Sequence, residues 1–159
     1  MLILLGLMIT LSTILLPQYL SIQKEFSLLR AAYKLSQDIR RAREMSISAQ
    51  SLSGTVPHGY GIYLVKGGNS YLLYADTNAN QTYNQGVDQI VETINLPSRI
   101  YFSDVSGPSP SASINFKGPD PIVAITSGLA SIDITLGFTG ITKTNIVTVN
   151  RAGLVYATR

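Results

Sequence analysis

The chain has 159 residues, no Cys, a single His, a net charge of +3 and a mean hydropathy of +0.22, with 45% hydrophobic and 13% charged residues. That length fits one head domain plus one long appended helix, and the missing Cys excludes a disulfide framework and a thiolate zinc site. A charged fraction below the roughly 25% of soluble domains marks a portion of the chain as destined to leave water. The basic surplus is local: Lys24, Arg30, Lys34, Arg40, Arg41 and Arg43 stand against only Glu25 and Asp38 within residues 24–43. On a helix just beyond an apolar segment, such a surplus reads as a solvated face near anionic headgroups.

Residues 1–16, MLILLGLMITLSTILL, carry no charge, and their interruptions, Gly6, Thr10, Ser12 and Thr13, are residues that membrane helices tolerate. At 1.5 Å per residue the run spans about 24 Å, short of the ~30 Å of a hydrocarbon core. A signal peptide is not the expected reading, since the run shows neither a basic region ahead of it in this sequence nor a small-residue cleavage site after it. Pro17 is expected to bend the helix, which then continues. Beyond it Leu28, Ala32, Leu35, Ile39, Ala42, Ser46 and Ala49 recur at alternating steps of four and three, a single stripe on one helix face. The helix is expected to stop within residues 51–54, with Gly54 as its C-terminal glycine and Pro57 preventing resumption.

These residues resemble the N-terminal region of type IV pilins and type II secretion pseudopilins. Gly6 and Pro17 keep the spacing of that family's glycine and proline if Met1 directly follows the family's glutamate. Five residues and a basic leader would then precede this chain, lengthening the span to about 21 residues, and a start codon placed late or a truncation would explain their lack. The stretch from Lys24-Glu25-Phe26 to Arg43-Glu44-Met45 resembles the helix of GspH/FimT-like minor pilins. The resemblance implies prepilin-type processing and N-methylation, which find no matching residue here. Some FimT-like pilins bind DNA through a Gly-Arg-x-Arg phrase. Here the equivalent stretch is Gly153-Leu154-Val155-Tyr156, between Arg151 and Arg159, so DNA is not expected as a partner.

After Gly54 the period changes. Residues 60–65, 70–75, 89–96, 99–103, 112–116, 131–138, 144–149 and 154–157 are short, rich in Val, Ile, Tyr and Thr, and bounded by Gly, Pro, Asn and Ser, which predicts antiparallel strands. Lys66-Gly67-Gly68-Asn69 suits a hairpin turn, and the Pro-rich stretches 107–111 and 118–121 read as loops.

Little in the head suggests catalysis. His58 sits between Pro57 and Gly59 without an orienting acid nearby in sequence, the serines lack nucleophile-elbow spacing, and Lys66-Gly67-Gly68 has neither the spacing nor the following helix of a phosphate loop. One constellation remains, the oxygen side chains Asp76, Asn78, Asn80 and Asp88 at alternate positions, which could fold around calcium as in the first half of an EF-hand loop. Its second half departs from that pattern, with Gln81 for the glycine and Val87 for the bidentate glutamate, so that Asp88 or Glu92 would have to close the site. Asx-turns satisfying their own backbone are the competing reading.

The expected architecture is therefore α+β and pilin-like: a long helix over 1–53, with 1–20 transmembrane, packing Leu35, Ile39 and Ala42 on one antiparallel sheet of an extracytoplasmic head, 54–159. The expected role is a non-enzymatic structural subunit, a minor one, of a type IV pilus or type II secretion pseudopilus. It would be held single-pass in the cytoplasmic (inner) membrane and reach the cell surface or periplasm when assembled. Its partners would be other pilin or pseudopilin subunits through Gly6, Pro17 and the rest of the N-terminal helix, with membrane lipid before assembly and no small-molecule substrate. No cofactor is expected apart from the calcium option. The alternative is a membrane-anchored module that binds DNA, or adheres through calcium, and never polymerises.

Overall fold

The computed structural model describes residues 2–119 and 122–158; the side chains of residues 2, 4, 5, 7–21, 122 and 127 lie outside the description. Helix α1, Leu2–Ile47, is continuous through position 17. It ends several residues before the sequence suggests, because Ala49, five residues ahead of Gly54, already takes the left-handed conformation (φ 48°). The amide of Gln50 donates to the Met45 carbonyl at 3.0 Å and that of Ala49 to Ser46 at 3.2 Å, closing the last turn in the Schellman manner. Gly54 instead serves the tight turn joining Leu52 to Thr55.

Among the described residues nine strands follow: β1 (Gly59–Val65), β2 (Ser70–Asp76), β3 (Gln89–Asn95), β4 (Ile100–Val105), β5 (Ser111–Lys117), β6 (Ile122–Ile125), β7 (Ser131–Phe138), β8 (Thr144–Asn150) and β9 (Val155–Thr158). They form two antiparallel sheets, ordered β3-β2-β1-β5-β6 and β4-β7-β8-β9. The β1–β2 turn joins them, since the Gly67 amide donates to Phe102 of β4 at 2.8 Å and the Phe102 amide to Gly68 at 3.0 Å. Gly67 can make this approach because its φ of +80° carries no Cβ penalty. The apolar faces of both sheets and of α1 meet in one core that includes Leu35, Ile39, Ile62, Leu73, Phe102, Ile114, Ile134 and Val147.

Two expectations are corrected. The α+β, pilin-like picture of a helix on one sheet gives way to a mostly β fold, in which α1 lies against β1 and β5 of one sheet and β7, β8 and β9 of the other. The single sheet fails because the segment at 99–103 pairs with β7 and not with β3, its neighbour in sequence. The transmembrane assignment of residues 1–20 is corrected too: among the described residues no helix is long and apolar enough to cross a membrane. The apolar run stops at 16 residues, and Pro17, Gln18, Gln23, Lys24 and Glu25 follow within the next turns. With it falls the structural support for a single-pass inner-membrane location with an extracytoplasmic head, and for the membrane and pilin character drawn from that span.

The outer face of the five-stranded sheet is also covered, by the loop 77–88. Tyr83 of that loop packs its ring at a tilt against Tyr63 and Tyr74, with centroids 4.7 and 5.2 Å away, and its amide donates to Ser113 Oγ at 3.2 Å. Burial pushes the hydroxyls of Tyr60, Tyr71 and Tyr74 up from the ordinary value, Tyr74 to about 12 despite opposing hydrogen bonds from Ser113 and Asn115. For Tyr71 the hydrogen bond and charge of Asp38 push the same way. A folded-state value above the unfolded one means stability is fully present below the unfolded value near 10 and is lost as pH rises through the folded one. We therefore expect the unfolding free energy in denaturant to fall from about pH 10 toward 12, and Tyr74→Phe to flatten that fall.

Candidate functional site

The helix presents two faces of different kinds. On one, Leu28, Ala32, Leu35, Ile39 and Ala42 are at most 1% exposed. Ser46 ends this stripe usefully: its hydroxyl donates to the Ala42 carbonyl at 3.1 Å and accepts the Tyr60 amide of β1 at 2.9 Å. Beside the stripe, buried Asp38 accepts from the Tyr71 hydroxyl of β2 at 2.5 Å and from Lys34 Nζ, one turn back, at 2.7 Å. A buried carboxylate is tolerable only when so paired.

Arg40, Arg41 and Arg43 complete the attachment, which revises their reading as a lipid-facing surface. Arg40 donates to the Val155 carbonyl of β9 at 2.7 Å and Arg43 reaches that of Gly153 at 3.5 Å. Arg41 pairs with Glu92 of β3 at 2.7 Å, and Lys143, before β8, pairs with Glu25 at 2.6 Å. Arg40 thereby occupies a carbonyl of β9, an edge strand of its sheet. The surface pairs add little stability singly, but they fix where the helix sits.

The second face is apolar and uncovered. Ile22, Phe26 and Tyr33 are 49%, 54% and 54% exposed, with Leu29 half-buried between them. Their steps of four, three and four place them on one line, about 130° round the helix from the buried stripe at about 100° per residue. In sequence the same line runs back through Tyr19, Leu15, Leu11, Met8 and Leu4. Ile3 is 87% exposed, and Gly6 is exposed with open space around its Cα. The side chain of Pro17 lies outside the described residues. The spacing of Leu28, Leu35 and Ile39 marks the buried stripe in the sequence; the signal for the outer line is a second set of apolar residues at the same spacing.

The calcium candidates are brought together in the loop after β2, mainly to hold its backbone. Asp76, fully buried, accepts the amides of Asn78 and Ala79 on Oδ1 (3.2 and 2.8 Å) and of Gln81 on Oδ2 (2.9 Å). Asp88 accepts the amides of Thr77 at 3.1 Å and Asn84 at 2.7 Å. Asn78 and Asn80 accept the amides two residues on, at 3.1 and 2.9 Å, in Asx-turns. These amides already direct positive hydrogen ends at the carboxylates. Among the described residues, no group of three or more His, Cys, Asp or Glu could hold a metal ion. His58 takes part through its backbone, its amide donating to the Asp76 carbonyl at 2.8 Å. At the C-terminal end Leu154 and Tyr156 are exposed, and Arg151, also exposed, donates to the carbonyls of Leu129 and Gly128.

Set beside known proteins, the chain matches no family model, no curated protein and no solved structure.

Proposed function

We propose that this chain is a structural, non-enzymatic subunit of a filament, joining neighbouring subunits through α1. The observation that carries the reading is the uncovered apolar line Ile22, Phe26, Leu29 and Tyr33 on a helix whose opposite side is fixed to the head. A helix serving only to brace two sheets gains nothing from a second apolar face, whereas a helix that braces the head and also packs on other helices needs both. The N-terminal resemblance to type IV pilins and type II secretion pseudopilins supports the same assignment and names the class of filament, a type IV pilus or a secretion pseudopilus.

Replacing Phe26 and Tyr33 together with Asp tests this. Both are exposed in the single chain, so the head should lose less than about 0.5 kcal/mol per substitution. Sedimentation of the full chain should nevertheless shift from concentration-dependent oligomers to monomer. An unaltered oligomer distribution in the double variant, or a monomeric parent chain, would refute the reading.

A further inference from the structure

We infer that two copies of this chain pair through α1 as a parallel, in-register coiled coil centred on Phe26, a closed two-fold unit that serves as the building block of the assembly. The inference rests on the filament-subunit reading and specifies its partner: a second copy of the same helix segment. Alternate steps of four and three are the spacing of core positions in a coiled coil, so Ile22 and Leu29 fall at d and Phe26 and Tyr33 at a. Tyr19 and Leu15 continue the pattern in sequence at a and d.

The flanking positions select the orientation. Counting from this core, Glu25 falls at g and Arg30 at e, five residues apart, and in a parallel in-register pair a g residue faces the e residue five positions on in the other helix. Arg30 is exposed and its side chain has no bonded partner among the described residues. Glu25 gives only Oε1 to Lys143 and keeps its other oxygen for a neighbour. In an antiparallel pair g positions face g and e positions face e, so Glu25 of one helix would not meet Arg30 of the other.

The seam also has a definite end. The next core positions after Tyr33 are Ser36, which is 5% exposed and bonded to the Ala32 carbonyl, and Arg40, drawn aside to β9. The pair must separate there. Because the buried stripe lies about 130° from the seam, the two heads point away from each other and do not obstruct it.

The chain has no Cys, which makes the test direct. Under mild oxidation, Phe26→Cys in the full chain should form covalent dimers roughly ten-fold or more faster than Lys117→Cys, an exposed site on the head, because pairing raises the local thiol concentration. Arg30→Glu in the Phe26→Cys background should slow the reaction, and adding Glu25→Lys should restore it. Equal rates at positions 26 and 117, or no restoration by the charge exchange, would overturn the pairing. If the parent chain self-associates on sedimentation while Phe26→Cys fails to cross-link, the pairing is wrong and the assembly reading stands. A parent chain that is monomeric at every concentration removes both.

Discussion

Ile39→Asp should cost about 4 kcal/mol, a large fraction of the 5–15 kcal/mol that holds a typical domain folded. Ile39 is fully buried near the middle of the α1 stripe, with Leu35 and Ala42 a turn away on either side, also at 0% exposure. A carboxylate there meets core side chains in place of water, and the nearby cations Lys34 and Arg40 are already committed, to Asp38 and to the Val155 carbonyl. It must therefore be buried without a partner or drive the helix off the sheets. Either route exposes portions of both sheets together, since α1 touches both. Arg41→Ser is the control, because the 48% exposed Arg41 loses only its surface pair with Glu92, worth at most about 1 kcal/mol. Denaturant unfolding of the two variants beside the parent measures the difference, and equal, small losses would mean that the stripe is not packed.

Asp76→Ala should lower stability by about 3 kcal/mol, far more than an ordinary loop substitution. The carboxylate is fully buried and accepts three backbone amides, two of which belong to Ala79 and Gln81, non-glycine residues held at φ 63° and 62°. Left-handed backbone at such residues is costly and persists only where surrounding bonds impose it. Without the carboxylate the amides lose their acceptor, the loop 77–88 relaxes, and Tyr83 leaves the rings of Tyr63 and Tyr74 on the sheet's outer face. Asp76→Asn keeps one acceptor oxygen and should lose roughly half as much. Hydrogen exchange locates the effect: the amides of Asn78, Ala79 and Gln81 should lose protection first in the alanine variant. Unchanged protection there would show that the loop is held by something else.

How far the sequence reveals this molecule differs from element to element. Alternating Val, Ile, Tyr and Thr between glycine and asparagine turns marks every strand but β6, because burial on a pleated surface selects those residues. Strand β6 is hidden since Ile122-Val123-Ala124-Ile125 is only four residues long and follows a Pro-rich stretch. Local patterning does not reveal which strands pair. That β4 joins β7 rather than β3 depends on long-range contacts, and this is why the sequence suggests one sheet where two exist. The helix shows the same limit. Its spacing gives the buried face through Leu35, Ile39 and Ala42, but not that Arg40 and Arg43 turn to β9 or that Asp38 meets Tyr71 inside the fold. The loop residues Asp76, Asn78, Asn80 and Asp88 show why oxygen spacing alone is ambiguous, since the same pattern serves a cation or the loop's own amides.

Whether other copies cover the outer face of α1 decides between an assembling subunit and a solitary one. Hydroxyl-radical labelling of the full chain across a dilution series reads this residue by residue. Phe26 and Tyr33, exposed in the single chain, should be shielded at high concentration and become labelled on dilution, while Leu28 and Ile39 stay protected throughout. Labelling of Phe26 and Tyr33 that is equally strong at every concentration would contradict assembly through α1.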